Sequence, residues 1–407
     1  MARTLVLTRK GYNPFLLAIR SSASYINMSQ REFDDAIVGA GVIGLAHAYH
    51  LAMRGRRVIV FERGPQAPGA SIRNFGMIWP IGQPAGEMYE LARRSRELWL
   101  NSLQAAGLWH ERIGSLHLAY HNDEADVLRE FITAAPANGI ECRWLDPRQV
   151  ISKSPAVKLD GLRGAMWSPI ETCVDPREVI VNLPDWLRKE YGVQFVFNCA
   201  VTVYNNRYAF AGGEEYVADN LYVCAGDDLQ TLFPAVFRDS GLVRCKLQMM
   251  RSHPMADDWR VGPMLAAGLT LAHYRAFQDC PSLPALKKRF ADEMPDYARY
   301  GIHVMVSQNA LGELTLGDSH EYGSEIAPFD KQEIDELVLR YLDTFFNAPK
   351  LRIASRWNGV YVKHPTEPYF IARPVSGVTI VTGVGGAGMT LSFGLAEKIV
   401  KENLGED

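Results

Sequence analysis

The chain has 407 residues, enough for about two domains with substantial cores. Its 43 Lys and Arg face 46 Asp and Glu, a formal net charge of -3, and the basic residues are dispersed, which argues against a nucleic-acid partner. Six cysteines without CxxC spacing read as buried free thiols of a reducing, cytoplasmic setting rather than a disulfide framework or metal site, and no apolar stretch approaches the ~18 residues of a membrane span.

Residues 1–27 carry Arg3, Arg9, Lys10 and Arg20, a Ser-rich SSAS and no acidic residue. This composition is similar to an organelle transit peptide, which would imply import. The alternative is a disordered tail upstream of a true start at Met28.

The next stretch, from Asp34 to Gly64, alternates in character. Ala36-Ile37-Val38 and Val58-Ile59-Val60-Phe61 are apolar runs. Between them Leu45, Ala48, Tyr49 and Ala52 share one helical face, with Gly55 where a C-cap belongs. The first turn reads Gly39-Ala40-Gly41-Val42-Ile43-Gly44. The first glycine permits a tight turn, the second lets backbone approach a pyrophosphate, and the third lets the helix lie close to the sheet. The helix N-terminus presents free N–H groups to the phosphates. Glu62 closes the second strand, where a carboxylate takes ribose hydroxyls and disfavours a 2′-phosphate. The pattern predicts a dinucleotide, with FAD and NAD both open.

Further along, His303-Val304-Met305-Val306 and Leu314-Thr315-Leu316-Gly317 flank Asn309-Ala310-Leu311-Gly312, the pattern of a hairpin. His303 and Met305 then share one strand face. Near the end, Val378–Thr382 reads as a buried strand and is followed by Gly383-Val384-Gly385-Gly386-Ala387-Gly388-Met389-Thr390 and a periodic helix through Val400. A second glycine-rich strand-to-helix turn suits a long cofactor gripped at both ends, with a helix N-terminus favouring charge on a reduced flavin.

With both turns in view, the chain resembles the superfamily of D-amino-acid oxidase, glycine oxidase and sarcosine oxidase, from about Asp34 to the C-terminus. The blocks that carry the likeness are the fingerprint with Glu62, Val174-Asp175-Pro176, Leu221-Tyr222-Val223-Cys224-Ala225-Gly226 and the late glycine turn. The resemblance implies FAD as cofactor. It implies an α/β fold with a discontinuous Rossmann-like FAD-binding domain (28–115, 165–243 and 352–407) and an antiparallel-sheet α+β substrate domain (116–164 and 244–351). It places Ala225 and Gly226 close to the cofactor, and Asn198-Cys199-Ala200-Val201 against adenine, so that Val201 joins Arg63 among the cofactor contacts. Gly385, Gly386, Gly388, Met389 and Thr390 are expected at the ring.

The segment Ser71-Ile72-Arg73-Asn74-Phe75-Gly76 falls where the superfamily skirts the flavin ring, and its small and polar residues suit close approach and hydrogen bonding. Its wording, with Lys246-Leu247-Gln248-Met249 and Gly317-Asp318-Ser319-His320-Glu321-Tyr322, is similar to a bacterial subgroup found alongside phosphonate-degradation genes. Sarcosine oxidases attach FAD through a late cysteine; none follows Cys280 here, so FAD is expected to be non-covalent. Thr315 stands where those enzymes carry an oxygen-activating lysine, which leaves oxygen or another electron acceptor open.

The resemblance implies oxidation of the C–N bond of a small anionic amine by hydride transfer to flavin N5, with no catalytic side chain required beyond the flavin. An aminoalkylphosphonate such as aminoethylphosphonate or its N-methyl form is the sharpest expectation, giving an aldehyde and ammonia or amine. Oxidation of glycine, sarcosine or D-amino acids is the alternative, and a non-catalytic flavin-bearing subunit a second. The residues expected to hold the anionic end are His320, Tyr322, His303, Gln248, Arg251, Tyr361 and Lys363, since cations and hydroxyls suit carboxylate or phosphonate.

Overall fold

In the computed structural model the described residues are 31–256 and 259–406. The expectations for residues 1–27 lie outside them. From Phe33 onward the chain is one compact unit, built on two large sheets.

The first sheet has eight strands. Its central pair, Glu32–Val38 and Val58–Phe61, is parallel with Ala36 opposite Ile59, and Gln194–Val196 continues beside them. Val58–Phe61 is buried at every position, as expected of an apolar run covered on both faces. On the other side stand Glu214–Val223 and, parallel to its end, Val378–Thr382. The expected helix between the first two strands spans Val42–Ala52. Its cap is Met53; Gly55 instead takes the following turn at φ +73°.

That helix is buried on nearly all sides because it packs against the last helix, Gly388–Leu404. Tyr49 lies 5.6 Å from the Phe393 ring, and His50 Nε2 is 2.9 Å from the Phe393 carbonyl. Trp99 closes the other side of Phe393 at 4.4 Å and donates from Nε1 to the Met389 carbonyl at 2.7 Å.

The second sheet has nine strands and is mainly antiparallel; Met264–Ala266 and Ser115–Ala119 are a parallel pair. The expected hairpin forms from Met305–Gln308 and Leu314–Gly317, with Met305 opposite Gly317. Two strands fall on the other side of the expected boundaries at 165 and 352. Gly164–Ser168 pairs with Ser115–Ala119, and Ile353–Lys363 pairs along its length with Val243–Ser252. Alternation along a strand marks a half-buried face but not the partner it hydrogen-bonds, so sequence could not assign them. Among the described residues no helix is long and apolar enough to cross a membrane.

Three histidines are buried away from the cavity described below. Burial pulls His47 and His50 down to about 4, and His117 to about 3, from the usual 6.5. Neither ring nitrogen of His117 has a partner, and its ring packs against Trp79 and Phe277. Because these folded-state values lie below 6.5, the unfolded chain binds more protons as pH falls from 6.5 towards 4. Stability is therefore full above 6.5 and is lost through that window. Replacing His117 by Leu should flatten the acid limb by up to about 1.4 kcal/mol per pH unit without loss at pH ~8, well above that window. Urea midpoints at several pH values check this; an unchanged acid slope refutes it.

Candidate functional site

The end of the first strand turns sharply at Gly39, where φ is +100° and an added Cβ would sit 2.5 Å from the Cys224 carbonyl oxygen. At Gly44 a Cβ would sit 1.9 Å from the Gly39 oxygen, so the helix starts hard against its own turn. The N–H of Val42 donates to Ser71 Oγ at 3.0 Å. Ser71 therefore sits at the phosphate end of the site, at the start of the fingerprint helix. Glu62 is buried, and its two oxygens accept from the N–H groups of Ala40 (3.0 Å) and Gly64 (2.9 Å). A carboxylate fixed this way keeps further lone pairs for hydroxyl groups.

These residues open on one cavity of ≈ 860 Å³. Gly41, Ile43 and Arg63 line it at this end, with Val201, Ala225 and Gly226 beside them. Gly385, Gly386, Gly388 and Met389, at the start of the last helix, line the far side together with Arg73, Asn74 and Phe75. Arg73 donates to the Asn358 carbonyl at 3.0 Å rather than to a surface carboxylate.

Three expected contacts point elsewhere. Gly76 (φ +69°) is required because a Cβ would come 2.0 Å from the Val174 carbonyl, so it serves strand pairing. Thr390 Oγ1 accepts from the Trp79 N–H at 2.9 Å and faces away from the cavity. Gly44 acts through helix packing alone. Asn74 lines the cavity, but its amide is bonded to the carbonyls of Ala70 and Ser71 and to the Gly76 N–H.

At the opposite end His303, His320, Tyr322, Tyr361 and Lys363 converge on the same cavity. Gln248 and Arg251 do not. Leu247 and Met249 take the cavity face of their strand, and alternation sends Gln248 to the other side. There it bonds the Lys331 backbone and Asp335. Arg251 stacks 5.1 Å from the Trp357 ring and reaches Glu313 at 3.8 Å, in a small niche shared with Thr315. Lys363 is bridged through its backbone to Val384, which ties this end to the late glycine turn. Its Nζ lies 5.4 Å from the Tyr322 ring, and it meets no carboxylate at ion-pair distance among the described residues.

His273 and Asp318 are members of this cluster that sequence reasoning did not single out. His273 ends the short helix Gly268–His273; its ring lies 3.9 Å from that of His303 and 4.4 Å from that of His320. A single His in an apolar LTLAHY run carries no sequence signal. Asp318 did stand in the polar cluster beside His320, which was the available hint. Its Oδ1 is 3.1 Å from His303 Nε2. Burial drives His273 and His303 well below 6.5 and His320 to about 4, and lifts Asp318 well above the usual carboxylate range. Burial also raises the Tyr361 hydroxyl well above 10. Burial thus disfavours the charged form of each of these groups, and Lys363 and Arg275 line the cavity beside them.

Two glycine turns at helix N-termini, a carboxylate after the second strand and one elongated cavity joining them define a dinucleotide-binding flavoprotein. The profile of the DAO family, FAD dependent oxidoreductase, matches residues 34–402, and the chain belongs to that family.

The chain is 32% identical to the glycine oxidase of Geobacillus kaustophilus over 145 residues, 34% of this chain and 38% of that protein. It is 27% identical to mitochondrial sarcosine dehydrogenase of Mus musculus over 171 residues, 41% of this chain and 18% of that protein. These matches thus span well under half of either relative. The crystal structure of L-proline dehydrogenase from P. horikoshii superposes with a TM-score of 0.76 at 20% identity, covering 93% of this chain and 95% of that one, a likeness of fold.

FAD is the cofactor of this family, and the residues fit it: the Gly39 turn leaves no room for a side chain, and both glycine turns border one cavity. Glu62→Gln should leave one of the Ala40 and Gly64 N–H groups without an acceptor. The expected cost is about 1–2 kcal/mol, roughly a tenfold weaker FAD affinity. Titration of the apoprotein followed by flavin fluorescence tests this, and unchanged affinity would remove Glu62 from the site.

Proposed function

We propose that this chain oxidises the C–N bond of a small anionic amine, with an aminoalkylphosphonate such as 2-aminoethylphosphonate or its N-methyl form as substrate. The observation that carries this is Lys363: a cation without a carboxylate partner at ion-pair distance among the described residues, 5.4 Å from the Tyr322 ring, on the cavity wall it shares with Tyr361, His303 and His320. An anionic group there gains a charge-assisted bond to Nζ and hydroxyl donors from the tyrosines. The same enclosure favours the amine as free base, since burial penalises its ammonium form.

Bound FAD supplies the two-electron acceptor for the hydride leaving the carbon next to nitrogen. The chain's own residues bind, orient and exclude water. Lys363 anchors the anion, and Leu247 and Met249 wall the reacting region with apolar surface. Water then hydrolyses the imine to an aldehyde and ammonia or methylamine, which balances the two-electron oxidation.

A second reading, oxidation of glycine, sarcosine or a D-amino acid, is favoured by the names of the relatives, glycine oxidase and sarcosine dehydrogenase. Anaerobic mixing of the holoenzyme with 2-aminoethylphosphonate, its N-methyl form, glycine, sarcosine and D-alanine separates the two. Bleaching of the visible flavin band by the aminophosphonates, with the carboxylates inert, is expected. Bleaching by glycine or sarcosine alone would overturn the phosphonate reading. Lys363→Met should raise KM for the anionic amine by about 10–100-fold, the loss of one charge-assisted bond of ~1.5–3 kcal/mol, with a smaller change in kcat. A KM that stays put would show that the anion binds elsewhere.

A further inference from the structure

We propose that His273, His303 and His320, with Asp318, bind one divalent transition-metal ion of the zinc class at the substrate end of the cavity. One ring nitrogen from each histidine lies within 4.8 Å of the others. Two nitrogens on one tetrahedral ion with bonds of ~2.1 Å stand about 3.4 Å apart, so binding draws the rings together by up to about 1.4 Å.

The surroundings have the features of a ligand set. Asp318 Oδ1 is buried and accepts no hydrogen bond, although His303 Nε2 is 3.1 Å away. Two atoms at that separation without hydrogen-bond geometry stand as neighbouring ligands of one ion do, about 3–3.4 Å apart. His320 Nε2 lies 3.9 Å from Asp318 Oδ2. Its other nitrogen, Nδ1, is 3.0 Å from the Gly301 carbonyl; this is the outer hydrogen bond that orients a ligating imidazole and leaves the opposite nitrogen free. His303 Nδ1 is buried with no partner at all.

Nitrogen and oxygen ligands in this number suit zinc or a neighbouring first-row ion rather than calcium or magnesium. Beside Lys363, such an ion would take an anionic oxygen of the substrate. That role, though not the site, rests on the function proposed above.

The test uses the flavin-loaded enzyme, stripped with EDTA, equilibrated with zinc chloride and freed of unbound metal by gel filtration. Metal per chain is read by mass spectrometry. One zinc per chain is expected, with affinity falling at least about tenfold in His273→Ala and in Asp318→Asn, flavin content showing that each variant is folded, and Lys363→Met retaining its zinc. No stoichiometric zinc in the parent enzyme, or equal zinc in both variants, overturns the proposal. Should those variants not fold, X-ray absorption of the zinc-loaded parent decides, since imidazole scattering is expected and its absence refutes the site. The two readings fail separately. Full bleaching by an aminophosphonate in an enzyme that binds no zinc leaves the function and removes the ion. Zinc at the site with no anionic amine bleaching the flavin does the reverse.

Discussion

Everything in this protein depends on the packing of two helices, Val42–Ala52 and Gly388–Leu404, which lie over 300 residues apart in sequence. Each begins at a glycine turn, and the first residues of each line the same cavity. The Tyr49, His50 and Trp99 contacts around Phe393 set their spacing. A residue whose only visible job is to fill the core thereby fixes the distance between the two grips on the cofactor. Close packing leaves little freedom to adjust that distance by small steps.

A second constraint is the burial of acid–base groups at the substrate end. Four acid–base side chains, His273, His303, His320 and Asp318, are gathered together, and burial, with the neighbouring imidazoles and Lys363, disfavours the charged form of the three histidines, as burial does for Asp318. Buried ionised groups without partners would be far more costly. The arrangement therefore places Lys363 beside a cluster whose own charged forms are disfavoured.

The parts legible in the sequence are those with local causes. Gly39 and Gly44 announce a turn because an added side chain would strike backbone at both positions, and the strands Val58–Phe61 and Val378–Thr382 announce themselves as apolar runs of strand length. The hairpin around Asn309–Gly312 was equally local. What stayed hidden depends on partners distant in sequence. Gln248 and Leu247 are neighbours on one strand, and only the packing of the helix Gln332–Phe345 against it decides that Gln248 faces out of the cavity. Gly76 and Thr390 sit in glycine-rich or polar segments that do border the cavity, yet each is committed to a neighbouring backbone group. His273 was silent for the same reason: its meaning lies in two histidines 30 and 47 positions later along the chain.

The backbone bridge between Lys363 and Val384 gives the molecule an unusual division of labour along its length. The strand carrying Tyr361 and Lys363 is pinned by Val243–Ser252 at one side and by the late glycine turn at its end. The span from 364 to 369 leaves this pinned strand and joins the first sheet at Phe370–Ala372, which pairs antiparallel with Val378–Thr382. Because both of its ends are held by strand pairing, a change in the length of that span leaves the position of Lys363 relative to the late glycine turn unaltered. The connection is thus the part of this wall where an added segment would disturb the paired strands least.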